Sequence, residues 1–241
     1  MRLLLFLALV IAVSSCTPIY VPTVRNTPMF RGEGEFQGTV ALSTGVSLQG
    51  AYALSDHVGM IGSYSILSEN ANDPQSTSES FKRKSNQLEI GLGYFNTTRS
   101  RRFELYGGYG QGESTTTGQY IFLGQGAQDV IVTGRFRRYF IQPSVATNKK
   151  GFNLIFTPRL SFVDFYEFTS GTITEPSGEG IHIFIEPSVT GKFRLTSSLD
   201  GMFQLGLNFA TASDNFFDYV PVQAGLGVQL HLGGSLRTRV Y

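Results

Sequence analysis

The amino-acid sequence predicts an all-β protein, an antiparallel up-and-down transmembrane β-barrel of about ten strands, within a range of eight to ten. Apolar and polar residues alternate in segment after segment, and Gly-rich or polar stretches separate these segments. In residues 152–162, for example, Phe152, Leu154, Phe156 and Leu160 share one face, with mostly polar residues between them. A period of two is typical of a strand whose faces meet different solvents. In a transmembrane barrel these solvents are lipid outside and a polar lumen inside.

The alternating segments predict ten strands, an even number as in single-chain bacterial barrels. Their expected bounds are 33–42, 46–54, 58–67, 86–95, 102–112, 135–146, 151–166, 180–190, 199–210 and 219–232. Only Ser43, Thr44 and Gly45 separate the first two, so this link is either a turn or a kink in one longer strand.

The connections between these strands alternate in length. Short links at 55–57, 96–101, 147–150 and 191–198 alternate with longer polar ones at 68–85, 113–134, 167–179 and 211–218. Transmembrane barrels have short periplasmic turns and long extracellular loops. The alternation therefore predicts which end of the barrel faces outward.

The chain begins with a segment typical of secretion. In residues 1–15, which we interpret as a signal peptide, Arg2 precedes an apolar run and small residues follow. The sequence Val13-Ser14-Ser15-Cys16 resembles a bacterial lipobox and predicts lipidation of Cys16; the alternative is an ordinary signal peptide with a chance cysteine. Residues 16–32 contain three prolines and no periodicity, so we expect an extended tether from this lipid anchor to a barrel formed by residues 33–241.

Composition limits the classes of function. The formal net charge of +1 argues against a nucleic-acid partner. The single cysteine excludes an intramolecular disulfide. Trp is absent, but 20 Phe and 11 Tyr can form the aromatic girdles of an outer-membrane barrel.

Placing the apolar face outward, toward outer-membrane lipid, leaves charged side chains in the lumen. We expect an interior network that joins three carboxylates to two guanidinium groups: Glu89, Glu104, Glu186, Arg138 and Arg159. These groups either fill a narrow barrel or line a pore or a small-ligand cavity. The small lumen of a ten-stranded barrel favours filling.

Three prolines lie within predicted strands, at Pro143, Pro158 and Pro187. Proline donates no ladder hydrogen bond, so we expect these positions at bulges or near the rim. The hexapeptides 140–145 and 184–189 resemble each other, which places two of the prolines at equivalent points of their strands.

No catalytic residues stand out, and we expect no enzyme activity, metal or cofactor. His57, His182 and His231 lack metal-ligand spacing. The one catalytic alternative is His182 with Ser177 or Glu179 at the outer rim, and a solvated histidine is favoured over it.

Basic residues lie where long connections meet strands: Lys82, Arg83, Lys84, Arg135 and Arg137. These would lie at the level of outer-leaflet phosphates and could contact lipopolysaccharide; the alternative is a solvated rim. The sequence identifies no protein partner.

Strand and turn sequences at 50–59, 103–110 and 140–143 resemble those of small, uncharacterised outer-membrane β-barrel proteins of Gram-negative bacteria. The resemblance implies a fold and an outer-membrane location but no activity. We therefore expect a non-enzymatic barrel, a lipoprotein by its signal, with a structural, adhesion or limited solute-passage role. The alternative is a soluble, lipid-anchored β-barrel that binds a small apolar ligand.

Overall fold

A computed structural model describes residues 18–72, 80–122, 126–170, 173–175, 180–211 and 218–233. The segment 1–15 that we interpreted as a signal peptide, together with Cys16, Ser177 and Glu179, lies outside these ranges. The described strands are β1 (Pro18–Tyr20), β2 (Phe36–Leu42), β3 (Val46–Ala53), β4 (Val58–Asn72), β5 (Ser80–Thr97), β6 (Arg101–Phe122), β7 (Gly126–Thr147), β8 (Phe152–Ser170), β9 (Ile173–Glu175), β10 (His182–Arg194), β11 (Leu199–Leu207), β12 (Phe209–Ala210), β13 (Asp218–Tyr219) and β14 (Val222–Leu232). In this part of the chain, no helix is long and apolar enough to cross a membrane.

Ten strands form a closed antiparallel barrel, as the sequence predicted. Strands β2 to β8 pair in chain order, β8 then pairs with β10, and β10 is followed by β11 and β14. The barrel closes where β14 pairs with β2, from Leu226 opposite Leu42 to Leu232 opposite Phe36. Each of these ten described strands is paired on both sides, as a membrane-spanning sheet requires.

The link at Ser43 is a turn between two strands rather than a kink in one. The Ser43 amide donates to the Gly45 carbonyl at 2.8 Å, and β2 pairs with β3 directly below it. This tight turn lies at the end of the barrel that carries the long connections, so the rim of the barrel is low there.

The predicted long connection at 113–134 was wrong, because most of it belongs to strands. Strands β6 and β7 pair continuously from Arg101 opposite Thr147 to Phe122 opposite Gly126. The segment is rich in Thr and lacks apolar alternation. A strand that projects above the membrane has water available on both sides, so it needs no apolar face, and Thr favours extended structure.

The outer face of the barrel is apolar around its circumference. Ile90 and Leu226, on opposite parts of the sheet, are 61% and 67% exposed. Many other large apolar side chains share this orientation, among them Val40, Leu48, Leu92, Leu105, Ile141, Phe156, Ile185, Leu205 and Val228. A soluble barrel would pack such side chains inward, whereas hydrocarbon solvates them outside.

The three prolines lie side by side on neighbouring strands, four to six residues from the nearer end of each strand. Pro187 of β10 is opposite Pro158 of β8. The ladder between β7 and β8 pairs Ile141 with Leu160 and resumes only at Val145 with Phe156. Equal numbers of residues are skipped on both strands, so this is an interruption of the ladder rather than one of the bulges that we expected. The missing donor of proline accounts for it.

Candidate functional site

Residues 18–30, which we call the luminal segment, lie inside the barrel. Tyr20, Arg25 and Phe30 are completely buried. The sequence predicted a tether here, and most of the segment does lack regular strand structure. It nevertheless packs within the lumen, where its apolar side chains are removed from water, rather than leading through solvent to the first strand.

The luminal segment runs in the same direction as β7. Its neighbours on that strand advance in step along both chains: Ile19 beside Gly134, Tyr20 with Arg138, Asn26 with Gln142, and Met29 with Ala146. Strand β7 runs from the long-connection end to the short-turn end. The segment therefore starts near the long connections and ends near the short turns, where β2 begins.

Glutamine side chains of the barrel wall form hydrogen bonds with the backbone of the luminal segment. Five strands contribute one each, with donor–acceptor distances of 2.5–2.9 Å: Gln49 to the Val24 carbonyl, Gln87 to Val21, Gln142 to Asn26, Gln223 to Pro22, and Gln204 accepting from the Arg25 amide. Buried backbone groups without partners are costly, so these bonds make the segment compatible with a closed lumen.

Charged groups from the wall and the segment meet at Tyr20. The Tyr20 hydroxyl donates to Glu186 at 2.7 Å and accepts from Arg138 Nη1 at 2.7 Å. Arg25 Nη2 lies 3.8 Å from a carboxylate oxygen of Glu186. The luminal segment thus supplies both a hydroxyl and a cation to the interior network, and sequence reasoning missed both.

The structure brings four of the five predicted network residues together. Glu89 forms ion pairs with Arg138 and with Arg159, the latter at 3.3 Å. Glu186 joins Arg138 through the Tyr20 hydroxyl. Glu104 stands apart from the network and accepts the Phe30 amide at 3.0 Å. The five residues therefore do not form the single network that the sequence predicted.

An apolar pocket in the wall holds the ring of Phe30. Its buried neighbours come from strands β3 to β7 and comprise Ala51, Ala53, Ile61, Phe95, Tyr106 and Phe140. Gly59 also faces this ring, since a Cβ at this position would lie 2.6 Å from Phe30 Cε2. The absence of a side chain at Gly59 therefore makes room for the luminal segment.

Polar contacts hold the chain where it leaves the lumen. Arg102 donates to the Met29 carbonyl at 2.9 Å, and the Met29 backbone has a φ of 59°. A non-glycine residue rarely adopts this left-handed conformation, and here it accompanies the change of direction toward β2.

Glu35 lies just before β2 and is buried beside the ring of His231. The two nitrogens of His231 lie 3.3 Å from Glu35 Oε1 and 3.0 Å from Asp200 Oδ2, so a protonated ring donates to both carboxylates. Burial acts to raise the pKa of Glu35, but hydrogen bonds from His231, the Arg31 amide and Gln37 hold that pKa below its usual range.

The basic residues expected at the outer rim do not share one orientation. Arg83 points into the lumen and pairs with Glu69 at 2.5 Å, which corrects its predicted position at a lipid-facing rim. Arg135 faces outward but lies between Glu113 and Glu167, at 3.1 and 3.0 Å. Lys82 and Lys84 are exposed.

The structure places the three histidines in separate surroundings. His57 stacks on Tyr94 near a short turn, and His182 lies beside Phe165. Among the residues that the structure describes, no three or more His, Cys, Asp or Glu side chains form a group that could hold a metal ion. The partners proposed for His182, Ser177 and Glu179, lie outside this part of the chain.

No protein-family model and no curated protein matches this chain. Solved structures similar to it include the translocator domain of the autotransporter NalP from Neisseria meningitidis, with 8% identity, 81% of this chain and 86% of that chain covered, and a TM-score of 0.47. The outer-membrane protease OmpT from Escherichia coli has 11% identity, coverage of 87% and 99%, and a TM-score of 0.48. The KdgM porin has 11% identity, coverage of 83% and 99%, and a TM-score of 0.37.

The closed sheet, its apolar outer surface and its polar interior define the class of protein. The chain is an outer-membrane β-barrel of ten strands. Its lumen is occupied by a segment of its own chain.

Proposed function

We propose that this protein is a closed, non-enzymatic outer-membrane barrel with a structural role, sealed against solute passage by its luminal segment. The observation that carries the proposal is that the segment bonds to several parts of the wall at one level. The Arg25 guanidinium donates hydrogen bonds to Asn208, at 2.5 Å, and to Gln223 of β14, the strand that closes the barrel with β2. The next residue, Asn26, reaches the Gly50 and Gly62 carbonyls at 3.0 and 3.1 Å.

The cavity found beside the outer part of the segment is small. A cavity of about 20 Å³ lies next to Val21, Pro22 and Thr23, under the tight turn between β2 and β3. This is room for about one water molecule. Of the three roles that the sequence left open, the packing supports a structural role over solute passage.

Conductance across a planar lipid bilayer tests the proposal. The full-length mature protein is expected to give no more current than a protein-free bilayer. A Tyr20→Ala, Phe30→Ala double variant removes two buried rings of the segment and is expected to show transient openings. Unheated gel mobility verifies that both proteins are folded. Steady conductance from the wild-type barrel would refute the proposal.

Adhesion is the second candidate role. It is favoured by the β6–β7 hairpin, whose strands pair as far as Phe122 and Gly126, while β2 ends at Leu42 in a tight turn. Such a projecting hairpin offers an accessible surface above the membrane. Replacing the hairpin tip by a short turn is expected to abolish cell attachment if this role holds and to leave gel mobility unchanged.

Absence of enzyme activity is part of the proposal. In the described part of the wall, inward glutamines and charged groups bind the luminal segment rather than line an open cleft, which supports this part of the proposal. A His182→Ala variant is expected to leave the acyl pattern of lipid A unchanged in overexpressing cells. A changed pattern would favour a lipid-modifying enzyme instead.

Lipidation of Cys16 is also proposed, on the strength of Val13-Ser14-Ser15-Cys16. The sulfur would form a thioether with the diacylglyceryl group of a phospholipid, while the thiol proton and the phosphate-bearing headgroup leave. Incorporation of labelled palmitate into the wild type, and its loss in Cys16→Ser, is the expected result. Equal labelling of both proteins would refute it.

Outer-membrane lipid is the partner that the apolar surface fits. Contact with lipopolysaccharide phosphates is proposed for Lys82 and Lys84, which are exposed near the outer end of β5. Arg135 is less suitable because two carboxylates already neutralise it. A Lys82→Ala, Lys84→Ala variant should retain less lipopolysaccharide on purification than Lys149→Ala, which changes a short turn at the opposite end.

A further inference from the structure

We propose that the mature N-terminus emerges at the outer face of the membrane, so that the lipid on Cys16 inserts into the outer leaflet beside the barrel. The lipid part of this inference rests on the proposed lipidation. The emergence of the chain rests on the path of residues 18–30 alone.

The outer end of the luminal segment is fixed near the long connections. Thr116 donates to the Pro18 carbonyl at 3.3 Å, from the part of β6 that projects toward the outer tip. On the other side, β1 pairs with β13, and the Val220 amide donates to the Tyr20 carbonyl at 3.1 Å. Strand β13 lies in the connection between β12 and β14, which is one of the long ones.

The inner end of the segment is fixed at the short turns. The Thr97 hydroxyl donates to the Phe30 carbonyl at 2.6 Å, and Arg102 holds the Met29 carbonyl. Both residues flank the short turn between β5 and β6. Since the two ends are tied at opposite mouths, the segment crosses the whole barrel from outside to inside in chain order.

The rim of the barrel is low where the segment approaches it. Val21, Pro22 and Thr23 line one cavity with Ser43, Thr44 and Gly45, so they lie level with the turn between β2 and β3. Pro18 lies three residues earlier, which places it about 10 Å further out at the rise of an extended chain. The apolar outer surface reaches this turn, because Leu42 and Val46 are 60% and 44% exposed.

Covalent geometry then limits where the anchor can be. Two peptide units join Cys16 to Pro18, so their Cα atoms are no more than about 7 Å apart. A periplasmic anchor would have to reach back along the filled lumen, which this distance does not allow. The anchor would therefore lie at the outer mouth, within reach of the outer leaflet and not of the inner one.

Accessibility of an epitope tag on whole cells tests the inference. The tag is inserted between Thr17 and Pro18, with matched controls in the turn 196–198 and in the connection 73–79. The N-terminal tag should bind antibody on whole cells as the 73–79 control does, while the 196–198 control should bind only after permeabilisation. Unheated gel mobility selects the insertions that fold.

A second set of variants separates this inference from the proposed lipidation. The tagged chain is also made with Cys16→Ala and a signal cleaved by the ordinary signal peptidase, and palmitate labelling is measured in parallel. A surface tag in both backgrounds supports emergence by the luminal path, whether or not the wild type is labelled. A surface tag without palmitate labelling overturns the lipid anchor only. A tag that requires permeabilisation overturns the inference.

Discussion

The contribution of the luminal segment to stability can be measured at a single oxygen atom. Tyr20→Phe keeps the buried ring but removes the hydroxyl that donates to Glu186 and accepts from Arg138, both at 2.7 Å. Each charged partner loses one hydrogen bond in a site closed to water. Tyr139→Phe is the matched control, because that ring faces lipid and is 54% exposed.

The expected loss of stability depends on the interactions that Glu186 and Arg138 retain in the variant. A buried hydrogen bond to a charged group contributes about 1.5–3 kcal/mol. Glu186 retains the Ser161 hydroxyl at 2.9 Å, and Arg138 retains Glu89, so neither charge is left isolated. We therefore expect Tyr20→Phe to lower the free energy of unfolding by about 2–4 kcal/mol, which is less than the full value of two such bonds because both charges keep other partners. The control should change it by less than about 0.5 kcal/mol.

Urea titration of the protein in lipid vesicles measures this difference, with folding followed by unheated gel mobility and by far-ultraviolet circular dichroism. The expected result is a lower midpoint for Tyr20→Phe at an unchanged slope. If the midpoint of Tyr20→Phe coincides with that of Tyr139→Phe, the hydroxyl does not join wall and segment, and the described network is incorrect.

Three further variants test other contacts by the same titration. Gly59→Val places a side chain against the ring of the luminal phenylalanine and should cost about 1–3 kcal/mol, whereas Gly50→Val, with open space around its Cβ, should cost little. Lys192→Met removes a donor to a luminal carbonyl and should cost about 1–3 kcal/mol, unlike Lys149→Met at an exposed turn. Glu35→Gln should destabilise the barrel at pH 7. Because the folded-state pKa of Glu35 is lowered, the ionised carboxylate stabilises the barrel above the usual carboxyl pKa, and this stabilisation is lost as the pH falls through the folded-state pKa. The free energies of unfolding of the wild type and the variant should therefore converge at acidic pH. A difference in the free energy of unfolding that stays constant across this pH range would show that ionised Glu35 does not stabilise the barrel.

The alternation of side chains made the barrel predictable from the sequence. A period of two decides the facing of a whole strand once one face meets lipid, so Ile90 and Glu89 could be assigned to opposite sides without any long-range information. The same reasoning failed at 113–134. Above the membrane the two faces of a strand no longer meet different solvents, and the pattern that marks a strand is lost.

Burial of the luminal segment could not be read from local patterns, because its partners lie far along the chain. Gln204 binds the backbone of Arg25 across 179 positions. Proline and the lack of periodicity are equally typical of a solvated tether. A weak signal was present: Ile19, Tyr20 and Val24 are apolar residues that a tether in water does not require.

The luminal segment also constrains how the barrel closes. It lies within bonding distance of β3 and β4, through the carbonyls of Gly50 and Gly62, and of β14, through Gln223. Strand β14 forms one side of the β14–β2 seam, where the first and last barrel strands meet, and β3 and β4 follow β2 on the other side. Threading the segment through an already closed barrel would draw the large side chains of Tyr20 and Arg25 along a narrow lumen, and an acylated end would be bulkier still. Because the segment precedes β2 in the chain and is joined to it directly, it can be enclosed as the strands assemble. We therefore expect pairing of β14 with β2 to follow or accompany placement of the segment, so a variant that weakens the contacts of the segment should slow closure as well as destabilise the closed barrel.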